Sequence, residues 1–322
     1  MPETQSFVVT RDEAGRRLDV VLAARAEVAR SAAARLVAAG AALVDGRPAR
    51  KGHVVRAGET VSWTPTPQES PALVAEDVPV RIVYEDDWIL VVDKPAGVVV
   101  HPAPGHEHGT LVQGLVGRGL GGGHGRRPGI VHRLDKETSG LLAVARREDA
   151  YRRLVADMAR RRVSRVYLAL LSGSLPQDEG TVDAPIGRHV RDRKRMSVHT
   201  AHARPAVTHF RVLERAAGFT LAEVRLETGR THQIRVHMAA LGFPVAGDVT
   251  YGGQPRPAGL ERHFLHAARL AFPHPEDGRP LAFAAPLPAE LVRFLDELGM
   301  TAPAGDMPSG PACGSTPSSG AR

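Results

Sequence analysis

Residues 131–146 read VHRLDKETSGLLAVAR, a charged run that passes without a break into an apolar one. No other stretch constrains the fold as much. Gly140 to Arg146 reads as a strand, so the charges before it belong on a loop at that strand's edge. Asp135 stands between Arg133 and Lys136, close to His132, and Ser139-Gly140 supplies the turn signal. These neighbours predict a carboxylate held ionised, and Asp135 is the candidate reactive group. HRLD alone is more commonly a mixed-charge surface loop, so the case needs the rest of the chain.

With 322 residues, 43% of them hydrophobic, the chain can form one large domain or two unequal ones and fill a core. A net charge of +7 points to a polyanionic partner, and the Arg-rich supply favours bidentate phosphate contacts. The one cysteine, Cys313, excludes a disulfide framework and a CxxC metal site, which fits a reducing cytoplasm. MPETQSFVV lacks the basic region and apolar core of a signal peptide, and no run approaches the roughly eighteen apolar residues of a membrane span. The expectation is a cytoplasmic protein, neither exported nor membrane-spanning.

Arg16 to Trp63 reads as a module of its own. Leu18, Val21 and Leu22 recur at helical spacing, and Ser31 can cap a second helix with Ala34, Leu36 and Val37 inward and Gly40 at its end. Ala42 to Val44, the Asp45-Gly46 turn and Val54 to Trp63 then suggest a small sheet. TPTPQESPALVAE, from Thr64 to Glu76, suits an inter-domain linker. A second domain opens at Val80, with a buried strand at Trp88 to Asp93 stopped by Lys94-Pro95-Ala96-Gly97. Gly117 to Gly125 holds six glycines without a GxxxxGK[ST], and reads as a mobile connector. A helix over 147–162 has Ala150, Leu154, Val155 and Met158 on one face and Arg152, Arg153, Arg160 and Arg161 on the other. Strands follow at Val163 to Leu171 and Phe219 to Glu227. Thr231 can cap a further helix with Ile234, Met238 and Leu241 inward and Gly242 at its end. His232 and His237 are five apart, not four, and lack a carboxylate to complete a metal set. Leu291, Phe294, Leu295 and Leu298 mark a last helix, and Thr301 to Arg322 is expected to be disordered.

RPGIVHRLDKETSGLLAVAR, from Arg127 to Arg146, closely resembles the signature of the ribosomal large-subunit pseudouridine synthases. DKPAGVVVHP, the V-x-R-x-Y spacing before Tyr167, the PI-x-R insert, LETGRTHQIRVHMAALGFPVAGDVTYGG and HFLHAARLAFPHP resemble further segments of that family. The first module resembles an S-four-type RNA-binding domain. Together the segments cover roughly residues 10 to 300, and their order is most similar to the D-type branch. The fold implied is α+β: a mixed, largely antiparallel sheet in the catalytic domain, preceded by a small α/β RNA-binding domain. The expected boundaries are 1–63, a linker at 64–79, a catalytic domain at 80–300 and a tail at 301–322.

The resemblance also implies roles. Asp135 is the reactive carboxylate, Tyr167 stacks on the target base and is implicated in removing its proton, and Arg230 pairs with Asp135. Arg133 fills the stack that the base vacates. His132, Arg235 and Arg188 join the RNA contacts, as do Arg17, Arg30, Ser31, Arg35, Arg47 and Lys51 of the first module. Arg188, Arg191, Arg193, Lys194 and Arg195 form the most basic cluster and are read as an RNA-clamping hairpin. Turning uridine into pseudouridine breaks the bond from ribose to ring nitrogen and joins carbon five to the sugar without redox change, so no cofactor and no metal are expected. The carboxylate either attacks the anomeric carbon or removes a ribose proton, and both routes need it ionised. The implied partner is RNA, in ribosomal RNA or a pre-ribosomal particle, acted on by a monomer. A transfer-RNA substrate, a silent RNA-binding protein and a two-carboxylate glycosidase using Glu137 are the alternatives.

Overall fold

The computed structural model describes residues 4–26, 28, 30–64, 73–103, 105–123, 125–192, 195–200 and 202–303, with the Ser31 side chain excepted. The chain divides into two compact units, 1–72 and 73–322. Half of the expected linker (65–72), nearly all of the expected tail (304–322, with Cys313), and Arg193 and Lys194 lie outside the described residues. Glu76, assigned in advance to the linker, belongs to the second unit: its carboxylate accepts from Gly109 N (2.6 Å) and Gln113 Nε2 (2.5 Å).

The first unit holds β1 (Gln5–Val8), α1 (Leu18–Arg25), α2 (Arg30–Ala38), β2 (Ala42–Val44), β3 (Arg47–Pro48) and β4 (Thr60–Trp63). Its strands form an antiparallel sheet in the order β1-β4-β2-β3. Leu18, Val21 and Leu22 of α1 pack with Ala33 and Val37 of α2 onto Ala42, Val61 and Trp63. α2 begins at Arg30, so Ser31 lies within it and is not its cap. At its other end Ala41 N–H returns to Leu36 O and Gly40 N–H to Val37 O, with Gly40 left-handed at φ 71°. Asp45 and Gly46 both have positive φ, the two-residue hairpin turn that joins β2 to β3. Only Thr60–Trp63 of the expected final strand pairs with the sheet.

The second unit contains β5 (Arg81–Glu85), β6 (Ile89–Lys94), α3 (Leu111–Leu115), β7 (Ser139–Ala145), α4 (Glu148–Ala159), β8 (Ser164–Ser172), β9 (Glu179–Asp183), β10 (Gly187–Arg188) and β11 (Met196–Ser197). It continues with β12 (Val207–Ala216), β13 (Phe219–Leu226), α5 (Gln233–Ala240), β14 (Leu265–Pro273), β15 (Pro280–Ala284) and α6 (Ala289–Glu297). The main sheet runs β5-β6-β7-β14-β8-β13-β12-β9, with β15 on β14 and β10 paired to β11 apart from it. Every pairing is antiparallel except β7 with β14. No helix among the described residues is long and apolar enough to cross a membrane.

β7 lies at the centre and is buried throughout. Its alternate residues feed two cores: Leu142 and Val144 pack with Leu90, Leu134 and Tyr167, whereas Leu141, Ala143 and Ala145 pack with Ile89, Leu154 and Phe272. Burial on both faces explains the unbroken apolar run, at roughly 1.5–3 kcal/mol per large side chain. Gly140, with φ 112°, lies where any Cβ would come within 2.3 Å of Ala267 O, so the parallel approach to β14 requires glycine.

Three details depart from expectation. Gly121 and Gly122 are not part of a loose connector: a Cβ on the first would lie 2.4 Å from the Arg146 carbonyl oxygen and one on the second 2.3 Å from Tyr151 Cβ, so the loop packs tightly. Val155 of α4 is exposed, and Ala150, Leu154 and Asp157 form the buried face. α5 starts at Gln233 with His232 as its N-cap, not Thr231, and Leu241 is exposed.

Candidate active site

The segment from His132 to Ser139 is pinned from remote parts of the second unit. Lys94, fully buried, donates from Nζ to the carbonyls of Pro95 (2.7 Å), Val98 (2.9 Å) and Lys136 (3.1 Å). Burial pushes its ammonium down to about 7, against the pull of Asp135. Arg262 donates to Glu137 O (3.0 Å) and Ser139 Oγ (2.9 Å), and Thr138 Oγ1 bonds His263 Nε2 at 2.8 Å. Ala143 N–H donates to His132 Nε2 at 3.0 Å, tying the loop to β7. With so many anchors the Asp135 side chain is presented by a rigid base.

Arg235 Nη1 donates to Asp135 Oδ2 at 3.0 Å. The same guanidinium grips Asp248 through Nε–Oδ2 (2.6 Å) and Nη2–Oδ1 (2.9 Å). Asp248 in turn accepts from the backbone of Thr250 and Tyr251. Burial pushes the Asp135 carboxyl upward, but the charges at His232 and Arg235 and the Arg235 hydrogen bond outweigh it and hold it below its ordinary value. Burial keeps His263 neutral, down to about 3, and lowers His232 as well, so Arg235 is the permanent counter-charge. Among the described residues no donor reaches Asp135 Oδ1: its neighbour, His232 Nε2, stands 3.9 Å away, beyond hydrogen-bond reach.

Asp135 opens into a cavity of about 660 Å³ that Tyr167, Arg133, Arg165, Arg204 and Arg230 also line. Tyr167 lies on β8, 5% exposed, and its hydroxyl is pushed upward by burial with Asp135 adding to the shift. It is a neutral phenol at pH 7. Arg165, two residues earlier, is 7% exposed; its Nε has no partner among the described residues, and its nearest acceptor is Glu227 O, 3.4 Å from Nη2. Such a buried cation facing a cavity is suited to a substrate oxygen.

The arginine partner of Asp135 is therefore Arg235 and not Arg230. Arg230 sits in the turn before α5, where its Nε donates to Pro205 O at 3.0 Å and its N–H to Gln233 Oε1 at 2.9 Å. It lines the cavity wall without reaching the carboxylate. His132 also lines the cavity; its Nε2 accepts from Ala143 N–H, and burial lowers the ring to about 3. Arg133 is exposed at the cavity's edge with no ion-pair partner among the described residues. Both nitrogens of His237 are occupied, Nδ1 by Thr208 Oγ1 and Nε2 by Ala184 O.

In the first unit Arg17 and Arg30 both grip the buried Asp19, at 2.9 and 3.1 Å, with half or more of each side chain still exposed. Arg35, Arg47 and Lys51 are exposed, and no ion pair among the described residues engages them. Arg188 is exposed on β10. Lys94, Asp248, Tyr251 and Arg262 escaped the sequence reading. Their signal was polar residues within otherwise apolar or buried runs, as where Lys94 closes ILVVDK.

Residues 88–240 match the family described as RNA pseudouridylate synthase, and residues 16–61 match the S4 domain. An uncharacterized RNA pseudouridine synthase of Chloroflexus aurantiacus is 48% identical over 92% of this chain and 94% of its own. The ribosomal large subunit pseudouridine synthase D of Xanthomonas campestris pv. campestris is 45% identical over 90% of this chain and 91% of its own. Among solved structures, human RNA Pseudouridylate Synthase Domain Containing 1 aligns with a TM-score of 0.54 and 32% identity, covering 65% of this chain and 84% of that one.

Proposed function

The chain belongs to the RNA pseudouridine synthases, and from that premise we propose that it isomerises uridines of large-subunit ribosomal RNA with Asp135 as the reactive group. One observation carries the assignment of Asp135. Its carboxylate ends in an arginine-lined cavity, with Oδ2 held by Arg235 and Oδ1 reached by no donor among the described residues. An ionised oxygen free of protein donors can attack the anomeric carbon or remove a ribose proton; the oxygen under the guanidinium fixes its direction.

A target base inside folded RNA must be extruded to reach the cavity, at a cost of a few kcal/mol. Arg133, exposed at the edge with no ion-pair partner among the described residues, fills the gap left in the stack. After the ring has turned and carbon five has joined the sugar, a proton must leave carbon five. Tyr167 is a protonated phenol, so it accepts that proton only as it passes its own to the Asp135 carboxylate, free again by then, from which a proton returns to the ring nitrogen that left the ribose. The glycosidase alternative would use Glu137, which is not among the residues that line this cavity.

Ribosomal RNA is favoured over transfer RNA by the likeness to ribosomal large subunit pseudouridine synthase D and by the S4 domain, whose exposed Arg35, Arg47 and Lys51 suit an extended phosphate surface. The test is to map pseudouridines by chemical adduct sequencing in cells with and without the gene. Loss confined to large-subunit ribosomal RNA is the expected result; loss confined to transfer RNA overturns the substrate, and no loss overturns the activity.

A further inference from the structure

We infer that Tyr251 is a positioning residue, which connects the basic β10–β11 hairpin to the reactive carboxylate by fixing the His232 ring as a donor facing Asp135 Oδ1. The inference rests on the proposed role of Asp135.

The hairpin reaches Tyr251 in two ways. Met196 N–H donates to the Tyr251 hydroxyl oxygen at 2.9 Å, and the Arg195 guanidinium lies 5.4 Å from the ring centroid. Arg235 lies 5.1 Å from the same centroid, so the ring is in contact with the cation that holds Asp135. On the far side, the Tyr251 oxygen is 2.8 Å from His232 Nδ1. Having accepted the Met196 proton, Tyr251 directs its own at Nδ1, which leaves the imidazole proton on Nε2. A second argument gives the same tautomer: Nε2 faces a carboxylate oxygen at 3.9 Å, where N–H is favoured over a lone pair.

His232 holds this pose in a conformation seldom taken by a residue with a side chain, φ 57° and ψ 22°. It forms an edge contact with Tyr251, with centroids 5.7 Å apart and planes at 74°. The 3.9 Å gap leaves Nε2–H free to donate to a substrate oxygen beside the atom that Oδ1 engages. A hairpin seated on Tyr251 therefore fixes which nitrogen of the ring beside Asp135 carries the proton.

Two measurements on the full-length protein test this. The ¹⁵N shifts of the His232 ring should show Nε2 protonated and Nδ1 bare in the wild type, and a mixture of tautomers in Tyr251→Phe, which keeps the ring but not the hydroxyl. A wild-type ring protonated at Nδ1, or a tautomer indifferent to Tyr251→Phe, overturns the inference whether or not the enzyme's substrate has been identified correctly. Single-turnover pseudouridine formation on a large-subunit ribosomal RNA fragment supplies the second readout. Tyr251→Phe should slow the step roughly tenfold with RNA affinity unaltered, and should add nothing in a His232→Ala background, because the residues act in series. His232→Gln, which restores an N–H where Nε2 stood, should recover most of the rate lost in His232→Ala. Fully additive losses, or a loss confined to RNA affinity, overturn it. Failure of the wild type to form pseudouridine would count against the proposed function alone, since the tautomer measurement still decides the inference.

Discussion

Arg230 and Arg235 lie five residues apart in one motif, yet only the second reaches Asp135. The difference is conformational: Arg230 is held in the turn by Pro205 O and Gln233 Oε1, whereas Arg235 is on the first turn of α5, 8% of its side chain exposed. Removing Arg235 leaves two buried carboxylates without a counter-ion, a change of about 3–5 kcal/mol. Arg235→Gln should therefore lower both the unfolding midpoint and the single-turnover rate by 10²-fold or more, against less than about tenfold for Arg230→Gln. Asp135→Asn should abolish turnover and keep RNA binding, as a filter-binding and turnover comparison would show. Tyr167→Phe should cost roughly 10²-fold, because the ring survives but the proton relay does not. The depressed Asp135 value sets the pH dependence. In the folded enzyme the carboxylate stays ionised down through its ordinary value of 3.8, so the Asp135 contribution to rate and to stability is fully present above that value and is lost as pH falls below it. Arg235→Gln leaves the upward push of burial less opposed, and the acid limb of the pH–rate profile should move to higher pH. The place of Asp135 on a loop at a strand's edge was legible because the turn and the apolar strand that follow it are local. Its counter-charge was not, because which of two arginines points inward depends on the His232 backbone and on Asp248, and neither shows in a spacing.

At the level of elements, the strands and helices followed from apolar periodicity wherever burial is one-sided, as in α6, and Gly40 and Gly242 ended their helices as their residue type suggests. Order was less visible. The tight packing of Gly121 and Gly122 depends on a contact with Arg146 and Tyr151 that is distant in sequence, so a glycine-rich run resembled a loose connector. Gly140 makes the corresponding prediction. Gly140→Ala combines a left-handed φ with a clash against Ala267 O, and should destabilise the second unit by at least about 3 kcal/mol, read as a fall in its denaturation midpoint. Because the loop that carries Asp135 leads directly into β7, the variant should lose activity at temperatures where it still binds RNA through the first unit.

For the whole molecule, each unit has its own core: the apolar cluster of the first is drawn from residues 9 to 63, and those of the second from Val80 onward. Deleting residues 1–72 should leave a folded second unit with residual turnover at high enzyme concentration, weaker RNA affinity and a shallower dependence of log affinity on log salt. A salt titration of both proteins checks this. The wide separation of the Asp135 partners has a bearing on time as well. Asp135 and Arg235 are 100 residues apart, and Thr138 and His263 are 125 apart. At about 5–20 residues per second of synthesis, the carboxylate emerges roughly 5–20 s before its guanidinium and waits longer still for the His263 clamp. A growing chain can therefore fold its first unit and grasp RNA while its chemistry is still unassembled, and a ribosome that stalls in this interval releases a binder without a catalyst.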